Sequence, residues 1–173
     1  MDPERDFVDD LLDRWTAVRP DLDPSPLATV GRVIVLAQFL ERSVDAALAR
    51  HGLNLGQFDI LATIRRSGSP TGLTPKQLLK SVVLSSGGMT SRLDKLEYAG
   101  LVKRHDDPDD RRGVLVALTA KGLKKIDAAT ATRFEEAERS CPELPAEERE
   151  QLADLLRAWL RQIDTASLSK CAS

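Results

Sequence analysis

The 173-residue chain has only two cysteines, Cys141 and Cys171, and two histidines, His51 and His105. Two cysteines so late in the chain cannot form a disulfide framework. Cys141 lies beside Pro142 in a late interhelical turn and Cys171 in the tail, which are poor settings for a low-pKa redox thiol. Neither histidine has a cysteine or acidic partner at metal-ligand spacing, and no nucleophile or phosphate-loop motif occurs. The expectation is therefore no enzyme, no catalytic residue, no metal and no cofactor. Long apolar runs are missing too: the longest, residues 33–37, spans five residues, far from membrane-crossing length, and no signal peptide is recognisable. The expected compartment is cytoplasmic, with no membrane partner.

An excess of positive charge is also lacking, since 25 Lys and Arg face 27 Asp and Glu for a net charge of −2. That excludes an indiscriminate polycationic nucleic-acid coat. The charge is nevertheless uneven. Residues 65–112 hold 10 Lys and Arg against 6 Asp and Glu, a local +4, which leaves −6 for the remainder. A basic surface on an acidic body suits a specific DNA binder.

What is present centres on residues 84–118. At about 100° per residue, Met89, Leu93 and Leu96 fall on one face of a helix. Gly87, Ser91 and Tyr98 lie nearly opposite, with Thr90 and Lys95 on the flanks. This small, hydrogen-bonding surface is what entry into a major groove requires. Ser85 or Ser86 can cap the helix start, and Gly100 suits its end. Residues 101–105 and 114–118 are rich in strand formers and are joined by an acidic turn carrying Arg111, Arg112 and Gly113, so a hairpin follows. The turn is either a solvated charged tip or a DNA contact.

The order helix, 100-GLVKR-104, 107-DPDDRR-112, 114-VLVALTAKG-122 resembles the winged helix-turn-helix of MarR-family transcriptional regulators, over about residues 30–163. The resemblance implies a mainly α fold with a small β-wing. It also implies a homodimer on double-stranded DNA at a pseudo-palindromic operator, usually a repressor released by a small ligand. A winged-helix protein-interaction module is the alternative without DNA.

Along the chain, residues 4–19 repeat apolar groups as an amphipathic helix with Asp6, Asp9, Asp10 and Asp13 behind, added to the usual plan. Residues 19–26 form a proline-rich linker. The divisions expected are 1–20 as the extra helix, 27–50 with 119–164 as a helical dimerisation region, 55–118 as the DNA-binding region, and 165–173 as a disordered tail. Within it, residues 55–64 read as a buried helix, Thr74 as the cap of a short helix starting at Pro75, and Thr119 as the cap of the next long helix.

Asp59 stands inside the buried helix, either paired or at its solvent edge. Arg92 lies about 60° from Met89, leaning inward, where an arginine calls for a carboxylate or a bound anion. Asp59 is one candidate partner. An N-terminal helix with Trp15, then Asp59, Arg92 and Arg104, resembles the urate-responsive branch of the family. That resemblance implies that Trp15 packs on a flat ligand, that Arg92 and Arg104 hold its charge, and that Asp59 is displaced by like-charge repulsion. Close relatives of that branch imply citrate-like acids instead. The expected DNA contacts are Ser86, Gly87, Thr90, Ser91, Lys95, Arg111 and Arg112.

Overall fold

A computed structural model describes residues 5–81, 86–108, 110 and 113–163, apart from the side chains of Ser81, Ser86 and Gly87. It is mainly helical with one two-stranded sheet, and it divides into two compact units at Ser43/Val44. The tail 165–173 lies outside the described residues.

In the first unit, α1 (Phe7–Val18) begins at Asp6, whose carboxylate accepts from the backbone N–H of Val8 and Asp9 while Asp9 returns a bond to the Asp6 N–H. This reciprocal cap satisfies donors that a helix start otherwise leaves orphaned. The same two carboxylates hold Arg32 of α2 (Leu27–Ala49), with Arg32 Nε donating to Asp6 and Nη2 to Asp9, both at 2.8 Å. Part of the acidic back is thus an anchor. The apolar stripe stays open: Val8 is buried, but Phe7, Leu11, Trp15 and Val18 are exposed.

The second unit starts with the end of α2 and continues through α3 (Leu55–Ser67), α4 (Pro75–Ser81), α5 (Ser86–Tyr98), β1 (Val102–Asp106), β2 (Val114–Leu118), α6 (Ala120–Ser140) and α7 (Ala146–Gln162). Its core gathers Leu48, Ile60, Leu61, Leu78, Leu96, Val116 and Ile126. Asn54 and Gln57 cap α3 reciprocally, and Thr119 caps α6 through the Gly122 N–H. Thr74 and Gln77 form the same kind of box ahead of α4.

Several boundaries differ from the sequence reading, two of them for a clear local reason. The α3 helix runs past residue 64 to Ser67, because Arg65 and Arg66 extend it without adding apolar periodicity, and it stops at left-handed Gly68. Strand β1 starts at Val102 rather than Leu101. The Leu101 N–H is already spent on the Leu96 carbonyl, and the Gly100 N–H on Glu97, closing α5 with a left-handed glycine turn. The strands are antiparallel, with Val102 opposite Leu118 and Asp106 opposite Val114. Among the described residues no helix is long and apolar enough to cross a membrane.

Candidate nucleic-acid interface

Helix α5 presents two contrasting faces. Met89, Leu93 and Leu96 are almost fully buried, whereas Thr90, Ser91 and Lys95 are exposed. The exposed side chains line a shallow surface concavity together with Asp94 and Tyr98. Tyr98 keeps 97% of its surface, a contact-ready phenol that the sequence pattern placed on this face without a role. Ser86 and Gly87 begin the helix, but what their side-chain positions face lies outside the described residues, as do Arg111 and Arg112.

Arg104, on β1, is bound to α5 by three hydrogen bonds. Its Nη1 donates to Glu97 Oε2 and its Nη2 to Asp94 Oδ1, each at 2.6 Å, and its backbone N–H donates to Glu97 Oε1 at 3.0 Å. Two carboxylates on one planar fork hold the guanidinium firmly in its charged form, chiefly through the bond to Asp94. The sequence reading treated Arg104 as a free anion holder and gave Asp94 and Glu97 no part. Their spacing of three residues along α5, on the side that meets β1, was the signal available. Nearby, His105 Nε2 bonds the Thr71 carbonyl at 2.8 Å, tying the wing to the loop before α4.

Arg92 leans inward, but not to Asp59. Its stem crosses Gly56 of α3 and folds over Gly88 of its own helix, so closely that a Cβ on Gly56 would stand 2.7 Å from Arg92 Nε. Two glycines make room for it. Its Nη1 is buried and meets no hydrogen-bond acceptor among the described residues, a costly condition for a cationic donor.

Asp59 instead faces α6 across a cavity of about 610 Å³, lined in part by Phe58, Arg66, Arg133 and Phe134. No hydrogen bond or ion pair joins it to Arg92 among the described residues. Gly56, one turn earlier in α3, is where Arg92 comes to rest. Burial pushes the Asp59 carboxyl above the usual carboxylate range, and Arg66 and Arg133 only partly oppose that. Phe134, at the mouth, is 71% exposed. Arg133 and Phe134 escaped the sequence reading, since only the packing of α3 on α6 brings them to Asp59; Arg66 lies two turns further along α3 itself, a spacing at which the sequence did offer a signal. Trp15 belongs to the first unit, and its indole stands on the open stripe of α1 with Phe7, Leu11 and Val18.

The MarR family model matches residues 53–114. The chain is 33% identical over 149 residues to the HTH-type transcriptional regulator PecS of Dickeya dadantii, spanning 86% of this chain and 90% of that protein. Among solved structures it is similar to a mutant MarR from E. coli complexed with operator DNA, at a TM-score of 0.68 and 28% identity, covering 84% of this chain and 97% of that one. It is also similar to CouR from Rhodococcus jostii RHA1 bound to p-coumaroyl-CoA, at a TM-score of 0.60 and 26% identity, covering 76% and 87%.

Proposed function

The chain belongs to the MarR family of DNA-binding transcriptional regulators, and from that premise we propose that it is a homodimeric repressor released from a pseudo-palindromic operator by a small anion such as urate. In this reading the region 55–118 reads double-stranded DNA, while 27–50 and 119–164 form the dimer body and residues 1–20 add a strap. Thr90, Ser91 and Lys95 with Ser86 and Gly87 enter the major groove, and Arg111 and Arg112 reach the flanking minor groove. The two-faced α5, apolar stripe buried and polar side chains bare, is the observation that carries the DNA assignment.

The anion assignment rests on Arg92, whose buried Nη1 has no acceptor among the described residues. A planar anion satisfies that donor, with Arg104 offering a second charge. Taking over Arg104 requires displacing Asp94 or Glu97, so ligand binding and the geometry of the reading helix compete. Asp59 adds a carboxyl that an approaching anion repels. Only a difference in anion affinity between the DNA-bound and free conformations releases the operator.

Selection of DNA fragments by the purified chain, followed by gel shifts with urate, tests the reading. A two-half-site sequence whose binding weakens steeply with salt is expected. Unchanged binding at millimolar urate removes urate as the effector, and a parallel titration with citrate tests the citrate-like class. Arg92→Ala is expected to lose the ligand response more than operator affinity.

A further inference from the structure

Arg104 joins two residues of the reading helix that carry the wrong sign for DNA. Asp94 shares its concavity with Thr90, Ser91, Lys95 and Tyr98, and its side chain is 57% exposed. Glu97 stands one turn further along. Among the described exposed residues of α5, Lys95 is the one cation, so without Arg104 the exposed side of the helix is net negative. A phosphate backbone would then meet repulsion where a reading helix needs attraction.

Resting on the assignment of α5 as the DNA-reading helix, we propose that Arg104 is a positioning residue for operator binding. Together with Lys95 it balances the charge of Asp94 and Glu97, and it fixes the wing to the helix. The three bonds do both jobs: the planar fork spans the two carboxylates at 2.6 Å each, and the strand N–H takes the remaining oxygen of Glu97 at 3.0 Å. A lysine, a point charge on a flexible stem, cannot bridge two carboxylates in this way. With both outer nitrogens occupied and only 30% of the side chain exposed, Arg104 acts through α5 rather than by reaching phosphate itself. Any anion that takes Arg104 away returns the Asp94 charge to the DNA face.

The test uses the full-length chain and the operator fragment that the wild type selects. Arg104→Gln is expected to weaken operator binding about tenfold and to flatten its salt dependence, because uncovered carboxylates cancel part of the phosphate attraction. Asp94→Asn with Glu97→Gln should bind as tightly as the wild type or more tightly. The triple variant should recover to within about threefold of the wild type and regain its salt slope. Loss of a mere brace would not be rescued in this way, because the triple variant lacks the brace as well. Should Arg104→Gln fail to fold, Arg104→Lys replaces it, with a smaller loss that the two neutral substitutions again relieve.

A triple variant as weak as Arg104→Gln overturns the proposal in favour of a direct DNA contact or a simple strut. A tenfold loss from Asp94→Asn with Glu97→Gln alone overturns it in favour of carboxylates that read bases. If the wild type selects no operator, the reading of α5 itself falls, and the proposal falls with it.

Discussion

Leu73 and Val116 exchange both of their backbone hydrogen bonds, Leu73 N–H to Val116 at 3.0 Å and Val116 N–H to Leu73 at 2.8 Å. One residue before the α4 cap thereby joins the wing as a short third edge. Helix α5 is thus held from two sides, by this bridge through α4 and by Arg104 from β1. The approach is so close that Gly72, at φ +98°, has the Val116 carbonyl where a side chain would begin. Its left-handed backbone and its missing Cβ answer the same requirement.

Gly72→Ala should therefore be costly. A Cβ there would meet the Val116 carbonyl oxygen directly, with Val116 C at 2.6 Å and Ala117 Cα at 2.9 Å, all of it backbone that cannot rotate away. Strain and the broken bridge together are expected to lower unfolding stability by about 2 to 4 kcal/mol in urea or thermal melts. Wild-type stability in that variant would mean that the bridge is dispensable.

The parts of this arrangement that sequence shows are those with a local cause. The Met89, Leu93 and Leu96 stripe follows from helical period, and Thr119 and Thr74 follow from capping chemistry. The hairpin was legible for the same reason, while the mainly α fold with its β-wing came from the family resemblance. Arg92 was legible only in part: its angle on the helix gives an inward lean, but its resting place depends on Gly56, thirty-six residues earlier in the chain. Nor does sequence pair Arg104 with Asp94 and Glu97, since the pairing needs the turn at Gly100 to fold β1 back along α5. The Asp59 cavity exists only once α3 lies on α6. The open stripe of α1 was hidden as well, because Asp6 and Asp9 look like a solvated back until Arg32 is seen between them.

The helix α7 buries none of its residues, and Leu155 and Leu160 are 70% and 60% exposed. Apolar surface of this kind marks an association face. Sedimentation is expected to give a dimer for the wild type, and Leu155→Glu or Leu160→Glu should shift it toward monomer, because an unpaired carboxylate in an apolar interface is heavily penalised. Operator affinity should fall with it, since a monomer reaches one half-site only. A monomeric wild type, or a Leu155→Glu and Leu160→Glu double variant that remains a dimer, would assign this face elsewhere.

Asp59 gives the pH prediction. Its carboxyl is half-buried, and its folded-state pKa lies above the unfolded value of about 3.9 because burial disfavours the charged form. Between those two values the native state binds more protons than the unfolded one, so this residue's contribution to stability falls as pH rises through the folded pKa. At neutral pH the charge is therefore a liability, softened by Arg66 and Arg133. Asp59→Asn keeps the shape and removes the charge. It should raise the melting temperature at pH 7 by about 2 °C, an advantage that shrinks as pH is lowered and vanishes below about pH 4. Melting curves from pH 4 to 8 for both proteins decide the matter. An advantage that does not change with pH would be a packing effect, and a loss at pH 7 would mean that Arg66 and Arg133 stabilise the carboxylate more than burial harms it.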